Sequence, residues 1–216
     1  DAPPRCGQRV AHGTRQFHGP RYALLRPEFD EPGLDRIRDG SVKDLLVFFG
    51  GTDPGNQTVK VIDAVRALGQ SAPETTVVLG PAHPHRDTIH KRAANLPALH
   101  VLDATDRMSR LIAQADLGIG ACGGAAWERC ALGLPCLIAA TAENQREVAA
   151  ILHRLGAAQH LGDAGRVSAE NWACALRDAM QDPQRMRAMA TAARAIMAGR
   201  QAALEELEKA LVDGMH

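Results

Sequence analysis

Residues 44–55 read Asp-Leu-Leu-Val-Phe-Phe-Gly-Gly-Thr-Asp-Pro-Gly, and this stretch decides the fold. Its apolar run, 45–49, is continuous rather than alternating, which is typical of a strand buried on both faces of a sheet. Glycines end the run, and a helix is predicted over 57–68, because Val61, Ile62, Val65 and Leu68 fall on one helical face. The stretch therefore predicts a strand, a glycine turn and a helix in succession.

The same alternation continues along the chain. Further strands are predicted at 76–80, 99–102, 117–120 and 135–139, and further helices at 83–94, 108–114, 125–132 and 144–155. Short apolar strands that alternate with helices form a parallel sheet with helices on both faces. The predicted fold class is therefore α/β, a Rossmann-like parallel sheet.

The remaining segments are predicted from weaker patterns. Residues 1–20 are polar and without period, and we expect an irregular arm, followed by a short extended apolar run over 22–25. After Ser168 we expect helix to the end of the chain, with a break at Asp182-Pro183. The expected domain is 21–216. Because the chain starts at Asp1 without a Met, we expect it to be part of a longer or processed protein.

Composition excludes several classes of protein. Lys plus Arg and Asp plus Glu both number 25, a balance that argues against a nucleic-acid partner. No apolar run approaches the roughly 18 residues that span a bilayer, so we expect no membrane partner. The five cysteines contain no Cys-x-x-Cys pair, and we expect reduced thiols, no zinc site and a cytoplasmic location.

The first candidate site is the Gly50-Gly51 turn. Glycines directly after a strand let backbone N–H groups approach an anion, and the following helix adds the positive end of its dipole. A tight strand-to-helix turn explains the same glycines equally well. This turn is neither a phosphate-binding Gly-Lys-Ser/Thr loop nor a Gly-x-Gly-x-x-Gly fingerprint, so the sequence favours neither the usual ATP site nor the usual NAD site at this turn.

Two more candidate sites follow later strands. At 121–128 the sequence Ala-Cys-Gly-Gly-Ala-Ala-Trp-Glu places Glu128 in a first helical turn, where a carboxylate can bridge two ribose hydroxyls or simply favour the helix dipole. At 142–145 the sequence Ala-Glu-Asn-Gln opens a helix with two amides. Asn144 is explained by capping as well as by a ligand, whereas Gln145 has no such structural explanation.

Taken in order along the chain, these motifs resemble the C-terminal half of GT-B glycosyltransferases that bind UDP. Four stretches of the chain are similar to the UDP-2,4-diacetamido-2,4,6-trideoxy-β-L-altropyranose hydrolases of pseudaminic acid biosynthesis. The matching stretches are Tyr22-Ala23-Leu24-Leu25-Arg26-Pro27-Glu28-Phe29, Phe49-Gly50-Gly51-Thr52-Asp53, Gly124-Ala125-Ala126-Trp127-Glu128 and Glu143-Asn144-Gln145. The resemblance covers residues 19–162.

The resemblance implies a place for each part of a UDP-sugar. Backbone and hydroxyl groups would hold the diphosphate, Glu128 the ribose, the backbone near Ala104 and Thr105 the uracil, and Asn144 and Gln145 the sugar. The expected diphosphate residues are Gly51, Thr52, Gly123, Gly124 and Ala125. Of these groups, Asn144 is the one candidate for a catalytic role.

The reaction that the resemblance implies is attack of water on the anomeric carbon, without a metal or other cofactor. Its general base would lie in an N-terminal domain that completes the cleft. His12 and His18 precede the domain, but neither follows a strand and a glycine loop, so neither is assigned as the base. Two alternatives stay open, a GT-B glycosyltransferase with a UDP-sugar donor and a non-catalytic nucleotide-sugar binding module.

Overall fold

The computed structural model describes residues 14–213. Within this range, Leu24–Ala198 form one compact unit. The described residues before Leu24 and after Ala198 form a second unit, which is treated separately below.

Six parallel strands form the sheet of the larger unit. They are β1 (Asp44–Phe48), β2 (Glu74–Leu79), β3 (Leu99–Asp103), β4 (Leu117–Ala121), β5 (Cys136–Ala140) and β6 (Ala158–Asp163). Their order in the sheet is β3-β2-β1-β4-β5-β6, and every neighbouring pair is parallel. The chain therefore reverses its direction of winding between β1 and β4, the point where ligands bind in sheets of this kind.

Seven helices accompany this sheet in the larger unit. They are α1 (Gln57–Leu68), α2 (Arg86–Ala93), α3 (Met108–Gln114), α4 (Ala125–Ala131), α5 (Arg146–Arg154), α6 (Ala169–Gln181) and α7 (Pro183–Ile196). Helix α1 contacts α2 and α6, and α4 contacts α7.

Alternate side chains of β1 pack on opposite faces of the sheet. Leu45 and Val47 join the core cluster that contains Val61 of α1 and Trp172 of α6. Leu46 and Phe48 surround a small cavity with residues of α3 and α4. A strand whose two faces are both apolar is thus covered from both sides, which confirms the predicted fold class.

A buried arginine joins two helix ends on this scaffold. Arg38 is 6% exposed, and burial lowers its pKa to about 10. Its guanidinium donates to carbonyl groups at the ends of α3 and α4, those of Ile112, Ala113, Ala115, Leu132 and Gly133. Carbonyl groups in the last turn of a helix have no hydrogen-bond donor within the helix, and Arg38 supplies one here.

Most predicted elements are confirmed, and α1 and α3 have the predicted bounds. The extended run expected over 22–25 is shortened, because Tyr22 ends the 3-10 turn Pro20–Tyr22, and residues 23–25 belong to no strand. Strand β6 was not among the predicted elements, and the helical stretch expected after Ser168 breaks at 197–199 as well as at Asp182. The helix expected from Asn144 begins with a 3-10 turn over Glu143–Gln145 before α5.

The second unit contains a 3-10 turn over Pro20–Tyr22 and helix α8 (Arg200–Asp213). The hydroxyl of Tyr22 donates to Glu206 at 2.8 Å, which joins the two segments. His18 is exposed and contacts the side chain of Gln16, whereas His12 lies outside the described residues. Across residues 14–213, no helix is long and apolar enough to cross a membrane.

Candidate functional site

A cleft of about 460 Å³ opens at the carboxyl ends of the strands β1, β2 and β4. Apolar side chains and glycine backbone make up most of its wall, and Arg26 and Glu128 supply the charged groups. The lining residues are Arg26, Phe48, Phe49, Gly50, Gly51, Val78, Leu79, Gly80, Pro81, Ala104, Thr105, Met108, Ala121, Gly123, Gly124, Ala125, Glu128 and Gln145. The three stretches predicted as sites thus meet at one sheet edge, as parallel strands require.

The Gly50-Gly51 turn forms one wall of the cleft. Gly50 has a φ of 97°, a conformation that side-chain-bearing residues rarely adopt. Nothing lies within 4 Å of the position that a Cβ would take at Gly50 or Gly51, so both face open space. Backbone groups of this turn are therefore accessible to a ligand in the cleft.

The N-terminus of α1, by contrast, is already occupied. The carboxylate of Asp53 accepts from the backbone N–H groups of Gln57 at 2.9 Å and Thr58 at 2.8 Å. Asp53 is 2% exposed, so these donors are bonded inside the protein. The expectation that the α1 dipole aids an anion in the cleft is corrected on this point, because Asp53 caps that helix.

The opposite wall carries Glu128 in the first turn of α4. Its side chain is 13% exposed and accepts from Nε of Arg26 at 3.1 Å. Arg26 also reaches Glu28 at 2.8 Å, and Glu28 accepts from the backbone N–H of Ser109, the second residue of α3. Arg26 therefore links the predicted ribose carboxylate to the start of a neighbouring helix.

Arg26 was missed as a functional residue by the sequence analysis. It lies in a motif that carried the resemblance, but its partner Glu128 stands 102 residues away. The guanidinium is half-exposed, lines the cleft and lies 5.4 Å from the ring centre of Phe29. Its charge is offset by the two carboxylates, so the guanidinium offers a ligand N–H donors in a fixed position.

Gln145 has a structural role that the sequence analysis excluded. Its side-chain oxygen accepts from the backbone N–H of Cys122 at 3.2 Å and of Thr141 at 3.1 Å, and from the Thr141 hydroxyl at 3.0 Å. It therefore joins the ends of β4 and β5 while also lining the cleft. Asn144 is exposed, does not line the cleft and does not cap a helix, since Ala142 takes the cap position.

Most of the remaining predicted site residues line the cleft, and one does not. Gly51, Gly123, Gly124, Ala125 and Thr105 all line the cleft, whereas Thr52 is exposed and outside it. Ala104 has a φ of 67°, unusual for a residue with a side chain, and its N–H donates to the carbonyl of Leu79. This bond engages the Ala104 N–H inside the protein, and Ala104 itself lines the cleft.

Among the described residues, Cys122, Cys130 and Cys136 are buried free thiols, and burial raises the pKa of Cys122 to about 11 and of Cys130 to about 12. Within residues 14–213, no group of three or more His, Cys, Asp or Glu side chains could hold a metal ion. That the ligand binds without metal stays a prediction.

The sequence that forms this cleft matches a known protein family. Residues 45–208 match the glycosyltransferase family 28 C-terminal domain. The spore coat polysaccharide biosynthesis protein SpsG of Bacillus subtilis (strain 168) is 31% identical over 154 residues, 71% of this chain and 45% of that protein. An uncharacterized protein of Methanocaldococcus jannaschii is 32% identical over 140 residues, 62% of this chain and 29% of that protein. The matched region thus spans less than half the length of either relative.

Solved structures agree on the fold. MurG of Acinetobacter baumannii superposes with a TM-score of 0.63 at 17% identity, covering 88% of this chain and 55% of that one. The spinosyn rhamnosyltransferase SpnG complexed with thymidine diphosphate superposes at 0.60 with 20% identity, covering 79% and 44%. The architecture is that of the Rossmann-like C-terminal domain of GT-B glycosyltransferases.

Proposed function

Because the chain belongs to the family of glycosyltransferase family 28 C-terminal domains, we propose that it binds a UDP-sugar in the cleft at the carboxyl ends of β1, β2 and β4. The observation that supports this most strongly is the convergence of two glycine turns, Gly50-Gly51 and Gly123-Gly124, with the carboxylate of Glu128 around one cavity. Backbone donors suit a diphosphate, and a carboxylate suits vicinal hydroxyls.

Each part of the ligand has a place in the proposed complex. The uracil lies against the backbone of Ala104 and Thr105, and Glu128 accepts from the ribose hydroxyls. The glycine turns receive the diphosphate, together with Ala125, and the sugar extends toward Gln145. Arg26, held by Glu28, Glu128 and Phe29, adds guanidinium N–H donors to this wall.

The chain's share of the chemistry is stabilisation of the leaving group. When the bond between the anomeric carbon and the β-phosphate oxygen breaks, the electron pair stays on UDP. Arg26 and the glycine-turn N–H groups oppose that charge, the kind of electrostatic stabilisation that preorganised donors provide. The lining residues include Glu128 as their one carboxylate, and it is engaged with Arg26. In line with the resemblance, we assign the general base for the attacking group to a second, N-terminal domain.

The finer proposal is hydrolysis. Its support is the resemblance at Gly124–Glu128 and Glu143–Gln145, and it makes water the acceptor, so that UDP and free 2,4-diacetamido-2,4,6-trideoxy-L-altrose are released. The alternative is transfer to another acceptor, which the same nucleotide-binding half would serve equally well. The two reactions differ in the acceptor side of the cleft, which the N-terminal domain would form.

Calorimetry on the 216-residue chain tests the binding proposal. UDP should bind with and without EDTA, since the site relies on backbone donors and Arg26. Binding that appears only when Mg²⁺ is added, or no binding at all, would overturn it.

A separate assay decides the reaction. The full-length protein is incubated with the UDP-activated diacetamido sugar, and free sugar is separated from transfer products. Hydrolysis predicts free sugar with UDP in equal amounts and very little turnover by the 216-residue chain alone. Comparable turnover by that chain would contradict a base in the second domain.

A further inference from the structure

The loop after β2 supports the Gly50-Gly51 turn at two points. At the first, Gly80 lies so close that a Cβ there would come within 2.0 Å of the carbonyl oxygen of Gly51. At the second, Nε2 of His83 faces Oδ2 of Asp53 at 3.6 Å, and both side chains are 1% exposed. The turn that lines the cleft is thus backed by two residues of one neighbouring loop.

The hydrogen bonds of His83 identify its tautomer. Its Nδ1 accepts from the backbone N–H of His85 at 3.2 Å, so in the neutral ring the proton lies on Nε2. Nε2 is buried and has no hydrogen-bond partner within 3.5 Å among the described residues. A buried N–H without an acceptor is costly, and the Asp53 carboxylate is the charged group that it faces.

Asp53 connects His83 to the Gly50-Gly51 turn. Its carboxylate caps α1 and also accepts from the hydroxyl of Thr58 at 2.7 Å. Its backbone has a φ of 37°, a left-handed conformation that the surrounding structure must hold in place. The chain from Gly50 to Asp53 is therefore fastened at its far end by this side chain.

We propose that His83 is a positioning residue for diphosphate binding, whose Nε2–H steadies the Asp53 carboxylate and thereby the Gly50-Gly51 turn. This inference rests on the proposed function, since it assumes that the turn receives the diphosphate. His83 does not line the cleft. Burial lowers the pKa of His83, although the Asp53 carboxylate opposes that shift, so the ring acts as a neutral donor.

Two variants of similar shape separate positioning from packing. His83→Met removes the donor, and His83→Gln keeps an amide N–H near the position of Nε2. For the Met variant, we expect the Kd for UDP to rise by at most about tenfold, because a donor that faces a buried carboxylate at 3.6 Å contributes no more than one hydrogen bond, while the Kd for uridine stays within about twofold. The Gln variant should recover most of the UDP affinity. His85→Met is the control, because the bond to His83 uses only its backbone N–H.

The outcomes distinguish this inference from the function it rests on. If the wild-type chain binds neither UDP nor uridine, both fall. If it binds UDP but the Met variant loses affinity for UDP and uridine alike, or for neither, His83 is a packing residue and only this inference falls.

A measurement on the wild-type chain decides the matter should the Met variant fail to fold. Nitrogen-15 NMR of the imidazole is expected to find a neutral ring with its proton on Nε2, whose resonance moves on addition of UDP but not of uridine. A proton on Nδ1, or a ring indifferent to UDP, would overturn the inference.

Discussion

Replacing Glu128 by Ala is the most informative single perturbation of the cleft. The side chain is 13% exposed, projects from the first turn of α4 and contacts Arg26 at 3.1 Å. In the proposed complex its carboxylate accepts from the 2′ and 3′ hydroxyls of the ribose. Hydrogen bonds to a charged group contribute about 1.5–3 kcal/mol, so UDP should bind about 10- to 150-fold more weakly.

The fold should survive this change. Loss of a first-turn carboxylate costs about 0.3–1 kcal/mol, and loss of a half-exposed ion pair costs about 1 kcal/mol or less. Arg26 also keeps its second partner, Glu28. The matched control is Glu170→Ala, which removes another first-turn glutamate, in α6, and should leave UDP affinity unchanged.

The assay is calorimetric titration with UDP and with 2′,3′-dideoxy-UDP. The wild-type chain should prefer UDP, and Glu128→Ala should abolish that preference by weakening UDP alone. If UDP affinity stays at the wild-type value while the melting temperature falls, Glu128 serves only the end of α4. The assignment of the ribose to this wall would then be refuted.

Three further predictions concern the scaffold. Arg38→Met should lower the free energy of unfolding by about 3–5 kcal/mol, because buried carbonyl groups lose their hydrogen-bond donor. The control Arg177→Met changes an exposed arginine and should alter the free energy of unfolding little. Urea unfolding measures both variants, and equal effects would contradict the role of Arg38. Burial lowers the pKa of His83, which lies beside Asp53, His85 and Arg86. Its contribution to the free energy of unfolding is therefore complete above the unfolded-state pKa of about 6.5 and is lost as the pH falls toward the folded-state pKa. The free energy of unfolding between about pH 5 and 7.5 should depend less on pH in His83→Gln than in the wild type, and identical pH profiles would refute this. Iodoacetamide at about pH 8 should modify exposed Cys174 but not Cys122 or Cys130, whose pKa values burial raises to about 11 and 12; peptide mass mapping that finds either buried thiol labelled would contradict their burial.

The sheet was predictable because its central strands are apolar on both faces. The continuous apolar run 45–49 predicts a buried strand even when its partner strands are unknown, and the glycines that follow it predict where the strand ends. Strand β6 lies at the edge of the sheet, pairs only with β5, and contains Gln159, His160 and Asp163. An edge strand needs no continuous apolar run, so this pattern could not identify it.

The candidate site was predictable only in part, for a related reason. Gly51, Gly123 and Glu128 follow strands, and topology alone brings such positions together. The pairing of Arg26 with Glu128 joins distant parts of the chain, and no local pattern encodes it. Gln145 seemed free for a ligand because its hydrogen-bond partners, at the ends of β4 and β5, are brought together only by the tertiary fold.

The central claim is that UDP occupies the cleft at the carboxyl ends of β1, β2 and β4. Titration of UDP into the nitrogen-15-labelled chain, followed through backbone amide resonances, tests it most directly. We expect the largest shifts at Gly50-Gly51, Ala104-Thr105 and Gly123–Ala125, with little change at the amino end of the sheet around Asp44 and Glu74. Shifts confined to that opposite end, or none at saturating UDP, would contradict the claim.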